Sequence, residues 1–227
     1  MTRNRTSFWA GVRAEFPLLI SVFPFGMIYG VLALNAGLSL AAAQSMSWMV
    51  FAGSSQFIAA KLIRDAAPAM LIILTIAVVN LRHALYSASL APFLKKLSLR
   101  WKILLSYLLT DEAYAVTVIH YDAAGVTPSS HWYFFGAGLA LWATWQVSTA
   151  VGIFLGAALP ANWPLDFALP LTFIALVIPA LKNRPAVAAA FSAGLTALLT
   201  YHLPYKLGLI VAACVGIFVG TILEGRK

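Results

Sequence analysis

Two long stretches of this chain, Phe16 to Ala60 and Ala123 to Leu165, contain no Asp, Glu, Lys or Arg. A water-soluble domain cannot bury two such runs and still present a polar surface, because soluble chains are about a quarter charged. Here 10% of the 227 residues are charged and 62% are hydrophobic, with a mean hydropathy of +0.88. Lipid must therefore solvate the surface. Disorder and a coiled coil both need charge and polarity and are excluded. At about 20 apolar residues per spanning helix, the length holds roughly seven or eight spans joined by short loops. No room is left for a water-soluble catalytic domain. The expected fold is all-α: a polytopic helical membrane protein forming a single transmembrane domain over residues 1–227, with six to eight membrane segments.

The net charge of +8 and pI near 9.8 would suggest nucleic acid in a soluble protein, but here Lys and Arg gather at the ends of apolar segments. That is the pattern of the positive-inside rule, and no nucleic-acid partner is expected. Cys214 is the only cysteine, so neither an internal disulfide nor a cysteine metal site is available. Arg3, Arg5 and Arg13 precede an apolar run too long for a signal-peptide core and without a small-residue cleavage site. The expectation is a retained first span with its N-terminus in the cytoplasm of a bacterial cell, the protein lying in the inner membrane.

Apolar segments fall near 16–36, 41–60, 66–92, 103–120, 132–158, 165–181, 186–202 and 206–223. Turn chemistry separates them at Ala67-Pro68, Thr127-Pro128-Ser129, Leu159-Pro160, Trp163-Pro164, Arg184-Pro185 and Leu203-Pro204. If every segment crosses, the basic cluster Lys95, Lys96, Arg100 and Lys102 falls outside, against the positive-inside rule. The conflict disappears if one segment in each half enters and returns; taking 66–92 and 132–158 as the two leaves six crossings and two broken or re-entrant helices. Such interruptions are tolerated where they line a polar cavity. An inverted repeat is also open: Glu15-Phe16-Pro17-Leu18 opens one run and Asp166-Phe167-Ala168-Leu169 another.

Polar groups inside apolar segments carry the functional signal, since an ionisable side chain at mid-bilayer costs on the order of 3 kcal/mol. The first cluster is Asn80-Leu81-Arg82-His83, between the flanking charges Asp65 and Lys95. Asn80 and His83 share a helix face; Arg82 can grip a carboxylate as a planar fork, and His83 can titrate near neutral pH. The second is Thr110-Asp111-Glu112-Ala113-Tyr114, whose adjacent carboxylates cannot both face lipid. Charge neutrality suggests that Arg82 meets Asp111 or Glu112. The third is Gly53-Ser54-Ser55-Gln56-Phe57, suited to a helix break whose backbone and hydroxyls touch a ligand. The fourth is Phe23-Pro24-Phe25-Gly26, a kink or break in the first helix. For each, the bland alternative is packing between helices.

No metalloprotease, serine-hydrolase or P-loop motif is present, and no cofactor, metal or enzymatic activity is expected. Besides His83, the histidines His120, His131 and His202 lie at segment ends without ligand spacing. Trp101, Trp132, Tyr133, Tyr201 and Tyr205 read as interfacial belts.

Taken in order, Pro24-Phe25-Gly26, Met46-Ser47, Val50-Phe51-Ala52-Gly53-Ser54-Ser55-Gln56-Phe57, Asn80-Leu81-Arg82-His83-Ala84-Leu85-Tyr86-Ser87, Thr110 to Tyr114 and Leu165-Asp166-Phe167-Ala168-Leu169-Pro170 closely resemble the AzlC-type branched-chain amino acid permease family. The resemblance runs from about residue 10 to residue 223. It implies the large subunit of a two-component inner-membrane exporter of branched-chain amino acids, valine, leucine and isoleucine with methionine as a further substrate. It also implies a small hydrophobic AzlD-type membrane subunit as partner, and export driven by the proton gradient or membrane potential. On this expectation Ser54, Ser55, Gln56, Asn80, Arg82 and Tyr114 contact substrate, while His83, Asp111 and Glu112 carry the proton or an ion pair. Pro24, Gly26 and Gly53 mark helix breaks. The rivals are a non-transporting membrane scaffold, whose buried charges are structural, and an intramembrane hydrolase using Asp111 and His83.

Overall fold

The computed structural model describes residues 2–125, 127–158, 181, 183–203 and 207–224. Among these residues the chain is helical and holds no strand, as a polytopic helical membrane protein requires. It divides into two compact units, 1–165 and 166–227. The segment expected near 165–181, with Asp166 and the second half of the suspected repeat, lies mainly outside the described residues, as does Tyr205.

The first unit is built on two long helices, α1 (Thr2–Asn35) and α8 (Ser130–Ala158). Their contact is a seam of glycines: Gly11, Gly26 and Gly30 of α1, and Gly136, Gly152 and Gly156 of α8. A Cβ on Gly11 would collide with the Tyr133 carbonyl, and one on Gly152 with the Met27 carbonyl. Small residues spaced by four let membrane helices approach backbone to backbone. The order of contacts, Gly11 with Tyr133, Gly26 with Ser148 and Gly30 with Thr149, shows that the two helices run parallel. Ser7 Oγ donates to Ser129 Oγ at 3.2 Å where they begin. The helix starts therefore share one face of the unit, called here the N-terminal face.

Three broken helices lie between them. Segment 41–60 is split into α2 (Leu40–Met49) and α3 (Gly53–Arg64). Segment 66–92 becomes α4 (Ala69–Val79) and α5 (Leu81–Leu94), bent at Asn80. Segment 103–120 is split into α6 (Leu99–Tyr107) and α7 (Asp111–Ala124).

Ring contacts fix the course of the last two pairs. Trp101 in α6 packs on His131, Trp132 and Phe135 at the start of α8. At the other end of α6, Tyr107 accepts a 2.8 Å bond from Trp142, and a Cβ on Gly138 would touch Leu108. Then α7 returns: His120 stacks on Tyr133, and the Tyr121 hydroxyl donates to the Ser130 carbonyl at 2.9 Å. Thus α6 and α7 enter from the N-terminal face and go back to it. Side by side with α7 runs α5, from Arg82 beside Asp111 to Phe93 beside Tyr121. Asn80 keeps a near-helical backbone, φ −82° and ψ −2°, so α4 and α5 form one bent span, and Ala69 lies at the opposite, far face. A tight turn through Ala66, at φ 51°, joins α3 to α4, and Ser55 contacts Asn80 at 2.7 Å. Hence α2 and α3 enter from the far face and return there. At 1.5 Å per residue, half-helices of this size reach about halfway through a core of about 30 Å.

Two expectations are corrected. The returning segments are 41–60 and 103–120, not 66–92 and 132–158. Segment 132–158 is one unbroken helix packed along α1, and among the described residues three helices are long and apolar enough to cross a membrane: Arg3–Asn35, Ala69–Leu94 and Ser130–Ala158. The basic residues divide between the faces: Lys61 and Arg64, in the last turn of α3, lie at the far face. Lys95, Lys96, Arg100 and Lys102 follow α5 or open α6 and so share the N-terminal face with Arg3 and Arg5. The break expected at Pro24 and Gly26 is absent, since α1 continues through both.

The described residues of the second unit form an antiparallel hairpin of α9 (Arg184–Leu199) and α10 (Leu207–Glu224). Gly216 and Gly220 of α10 pack on Ala189 and Ala193, and Gly208 approaches Thr200. Cys214 is a free, exposed thiol in α10.

Candidate functional site

Three helix N-termini meet in the middle of the first unit: Gly53 of α3, Leu81 of α5 and Asp111 of α7. The breaks follow from local chemistry. Residues 50–52 leave the helix, with Ala52 extended at φ −152°, and Gly53 starts α3 where a side chain would press on the Trp145 ring. Thr110 caps α7, its Oγ1 accepting from the Ala113 N–H at 3.3 Å. Asp111 and Glu112 then occupy the first turn, where the helix dipole favours anions. They lie at the start of a helix rather than inside one, which is why two adjacent carboxylates are tolerated.

Arg82 joins the three ends. Its Nη1 lies 2.6 Å from Asp111 Oδ2, and its Nη2 donates to Ser54 Oγ at 2.6 Å. A cation in the first turn of α5 opposes that helix's dipole, and Asp111 offsets the cost. The pair is not saturated. Arg82 Nε and Asp111 Oδ1 are shielded and make no hydrogen bond, although both side chains are about one-third exposed overall, 34% and 38%. Ser55 Oγ donates to Asn80 Oδ1 at 2.7 Å, pinning α3 to the bend of α4 and α5. Gln56 is buried and accepts from Trp145 Nε1 at 2.9 Å, while its own Nε2 has no partner.

Tyr114 lies one turn below Asp111, with its ring stacked on Tyr86 at 4.4 Å and its hydroxyl donating to Ser89 at 3.0 Å. His83 sits beside Tyr86, its ring centroid 6.0 Å away, and among the charges of Arg82 and Asp111. Glu112 has Asp111, Arg82 and Thr110 as neighbours on one side and the charge of Glu15 on the other. Among the expected site residues, then, Ser54, Ser55, Asn80, Arg82 and Asp111 form one bonded constellation. Gln56 bonds away from it to α8, and Tyr114 and His83 border it. Pro24 lies on α1, and Gly26 is a contact point for Ser148.

Two residues escaped the sequence reading. Trp145 forms one wall: it bonds Gln56 and stacks on Tyr29, whose hydroxyl donates to the Ala43 carbonyl at 2.9 Å. Glu15 is fully buried, with neither carboxylate oxygen hydrogen-bonded. No window of sequence marked it, since the face of α1 that meets α8 is set by tertiary contacts such as Gly11 with Tyr133. Tyr133, expected in an interfacial belt, is buried at the same contact. Among the described residues, no group of three or more His, Cys, Asp or Glu could hold a metal ion.

Known proteins bear on this arrangement. The chain is 33% identical over 216 residues to an uncharacterized membrane protein of Archaeoglobus fulgidus, covering 92% of each chain. It is 25% identical over 228 residues to inner membrane protein YgaZ of Escherichia coli, covering 96% of this chain and 93% of that one. It is 28% identical over 180 residues to the branched-chain amino acid transport protein AzlC of Bacillus subtilis, covering 77% and 70%. No solved structure gives a significant match. The family described as AzlC protein matches residues 17–159, from the middle of α1 to the end of α8 and so through every helix that builds the site; the chain belongs to that family.

Proposed function

We propose that this chain is a secondary transporter that exports branched-chain amino acids, the whole chain acting as one transmembrane domain together with a small hydrophobic AzlD-type subunit. One observation carries the reading: the Arg82–Asp111 pair keeps one unused donor on the cation and one unused acceptor on the anion. Those two groups match the two ends of a zwitterion. The substrate carboxylate meets Arg82 at the N-termini of α3 and α5, where backbone N–H groups and dipoles favour an anion. The ammonium meets Asp111. Ser54 and Ser55 complete the polar shell, and the aromatic walls of Tyr86, Tyr114 and Trp145 face the apolar side chain. The name of the Bacillus subtilis relative supports the substrate class.

In this reading the N-terminal face is cytoplasmic, because Arg3, Arg5, Lys95, Lys96, Arg100 and Lys102 gather there. Arg82→Ala and Glu112→Gln, each shown to insert in the membrane, abolish export of labelled valine from proteoliposomes holding the chain and its small partner. Normal valine export by both variants refutes this mechanism. A scaffold without transport activity predicts no flux from the wild-type chain under any partner condition.

A further inference from the structure

Glu15 stands apart from the constellation around Arg82. It is fully buried between α1, α7 and α8, and both of its oxygens lack a hydrogen-bond partner. A carboxylate held in this way is costly as a bare anion. The groups around it form a series. Glu112 on α7 is its charged neighbour toward the mid-level site, next to Asp111. Tyr133 on α8 is its neighbour toward the N-terminal face, and the His120 ring stacks on Tyr133 with centroids 3.8 Å apart and planes 7° apart. Glu112 and His120 lie eight residues apart on α7, a little over two turns.

The remaining packed elements add no competing charge: α2 has no ionisable side chain, and Lys61 and Arg64 of α3 lie against Asp65 at 3.0 and 3.9 Å. On α1 itself, Arg13 is exposed. Ionisable groups inside a membrane protein that lead from a face to a central site have the form of a proton relay.

We propose that Glu15 is the proton carrier of this protein, exchanging a proton with Glu112 beside the Arg82–Asp111 pair on one side and with the N-terminal face, past Tyr133 and His120, on the other. The proposal rests on the transport reading above for what the proton drives. When Glu112 takes a proton from the far face through the opened site, the carboxylate next to Asp111 becomes neutral, the ammonium loses a partner and the substrate leaves. When Glu112 passes the proton to Glu15, the restored negative charge holds the next ammonium, and Glu15 releases the proton at the N-terminal face, so one proton crosses in each cycle.

The test uses the full chain, with its small partner, in proteoliposomes. Glu15→Gln keeps valine–valine exchange at the wild-type rate but loses valine accumulation driven by a pH gradient by about a hundredfold, the scale of a missing proton-transfer group. Gradient-driven accumulation at the wild-type level in Glu15→Gln overturns the proposal, as does driving by a sodium gradient alone. A second measurement does not need the substrate. The infrared carbonyl band of a protonated carboxylic acid appears in the purified wild type and is lost in Glu15→Gln. Absence of that band in the wild type at every pH between acid and alkaline limits overturns the proposal even if valine is transported. Its presence and loss on mutation, without any valine flux, leaves the proton site standing and sinks the transport reading alone.

Discussion

Single atoms decide how much the core of this protein tolerates. Gly30 faces the Thr149 carbonyl and the Ile153 amide of α8, so an added methyl group meets backbone that cannot rotate away. Gly26 faces the hydroxyl of Ser148, a side chain. Gly30→Ala should therefore destabilise the protein by about 1–3 kcal/mol, the cost of overpacking a filled interface. Gly26→Ala should lose less and recover when combined with Ser148→Ala. Thermal unfolding in detergent of the three variants checks the order; equal losses for Gly26→Ala and Gly30→Ala contradict it. At the site, Arg82→Lys keeps the charge but not the planar fork. It should weaken valine binding by about tenfold or more, one charge-assisted bond's worth, while leaving the protein folded. Isothermal titration against Arg82→Ala separates charge from geometry. Asp111 and Arg82 were legible from charge scarcity alone, because few ionisable groups interrupt these segments. Glu15 was not, because it sits beside Arg13 at what reads as the polar border of the first span. Only the extension of α1 back to Thr2 makes it an interior residue.

Elements bring the harder lesson, that continuous hydrophobicity does not mean a continuous helix. Segments 41–60 and 103–120 look like ordinary spans by composition, yet each is a pair of half-length helices. Part of the signal was local: Thr110 followed by Asp111 and Glu112 is a helix start, an N-cap with two acids in the first turn. Reading those carboxylates as mid-helix charges anticipated the pairing of Asp111 with Arg82 but missed the break. The other part, the direction in which the second half-helix leaves, is set by tertiary contacts such as Tyr121 with Ser130 and is absent from any window of sequence. The course of the chain gives a labelling prediction. Single cysteines at Thr6 and Lys96, in a Cys214→Ser background, react with an impermeant thiol reagent from one face. Cysteines at Ser39 and Ala67 react from the other. Labelling of Lys96 and Ser39 positions from the same face rules out the hairpin of α2 and α3.

At the scale of the molecule, the long helices and the half-helices have different tasks. The parallel pair α1 and α8 is fastened along its whole length by backbone contact, whereas the half-helices reach α5 through side chains, α3 by polar bonds at its tip and α7 by ring contacts along its length. A change between inward and outward access should therefore swing the half-helices against an unmoving pair. Hydrogen exchange should show the Gly26 and Gly152 regions protected with and without valine, and altered protection confined to 50–56 and 108–114. Uniform protection changes along α1 would argue for a different moving part. The parallel seam also governs how the protein comes into being. Its two helices are separated by all the broken ones, and close backbone contact cannot begin until the start of α8, near Tyr133, has left the ribosome. Until then α1 resides in the bilayer with its glycine face covered by lipid, and with Glu15 still reachable by water or headgroups. Sealing of that carboxylate is consequently among the last events of assembly, so chains that stall before α8 should display an open acidic notch, a mark by which membrane quality control can tell the unfinished protein from the finished one.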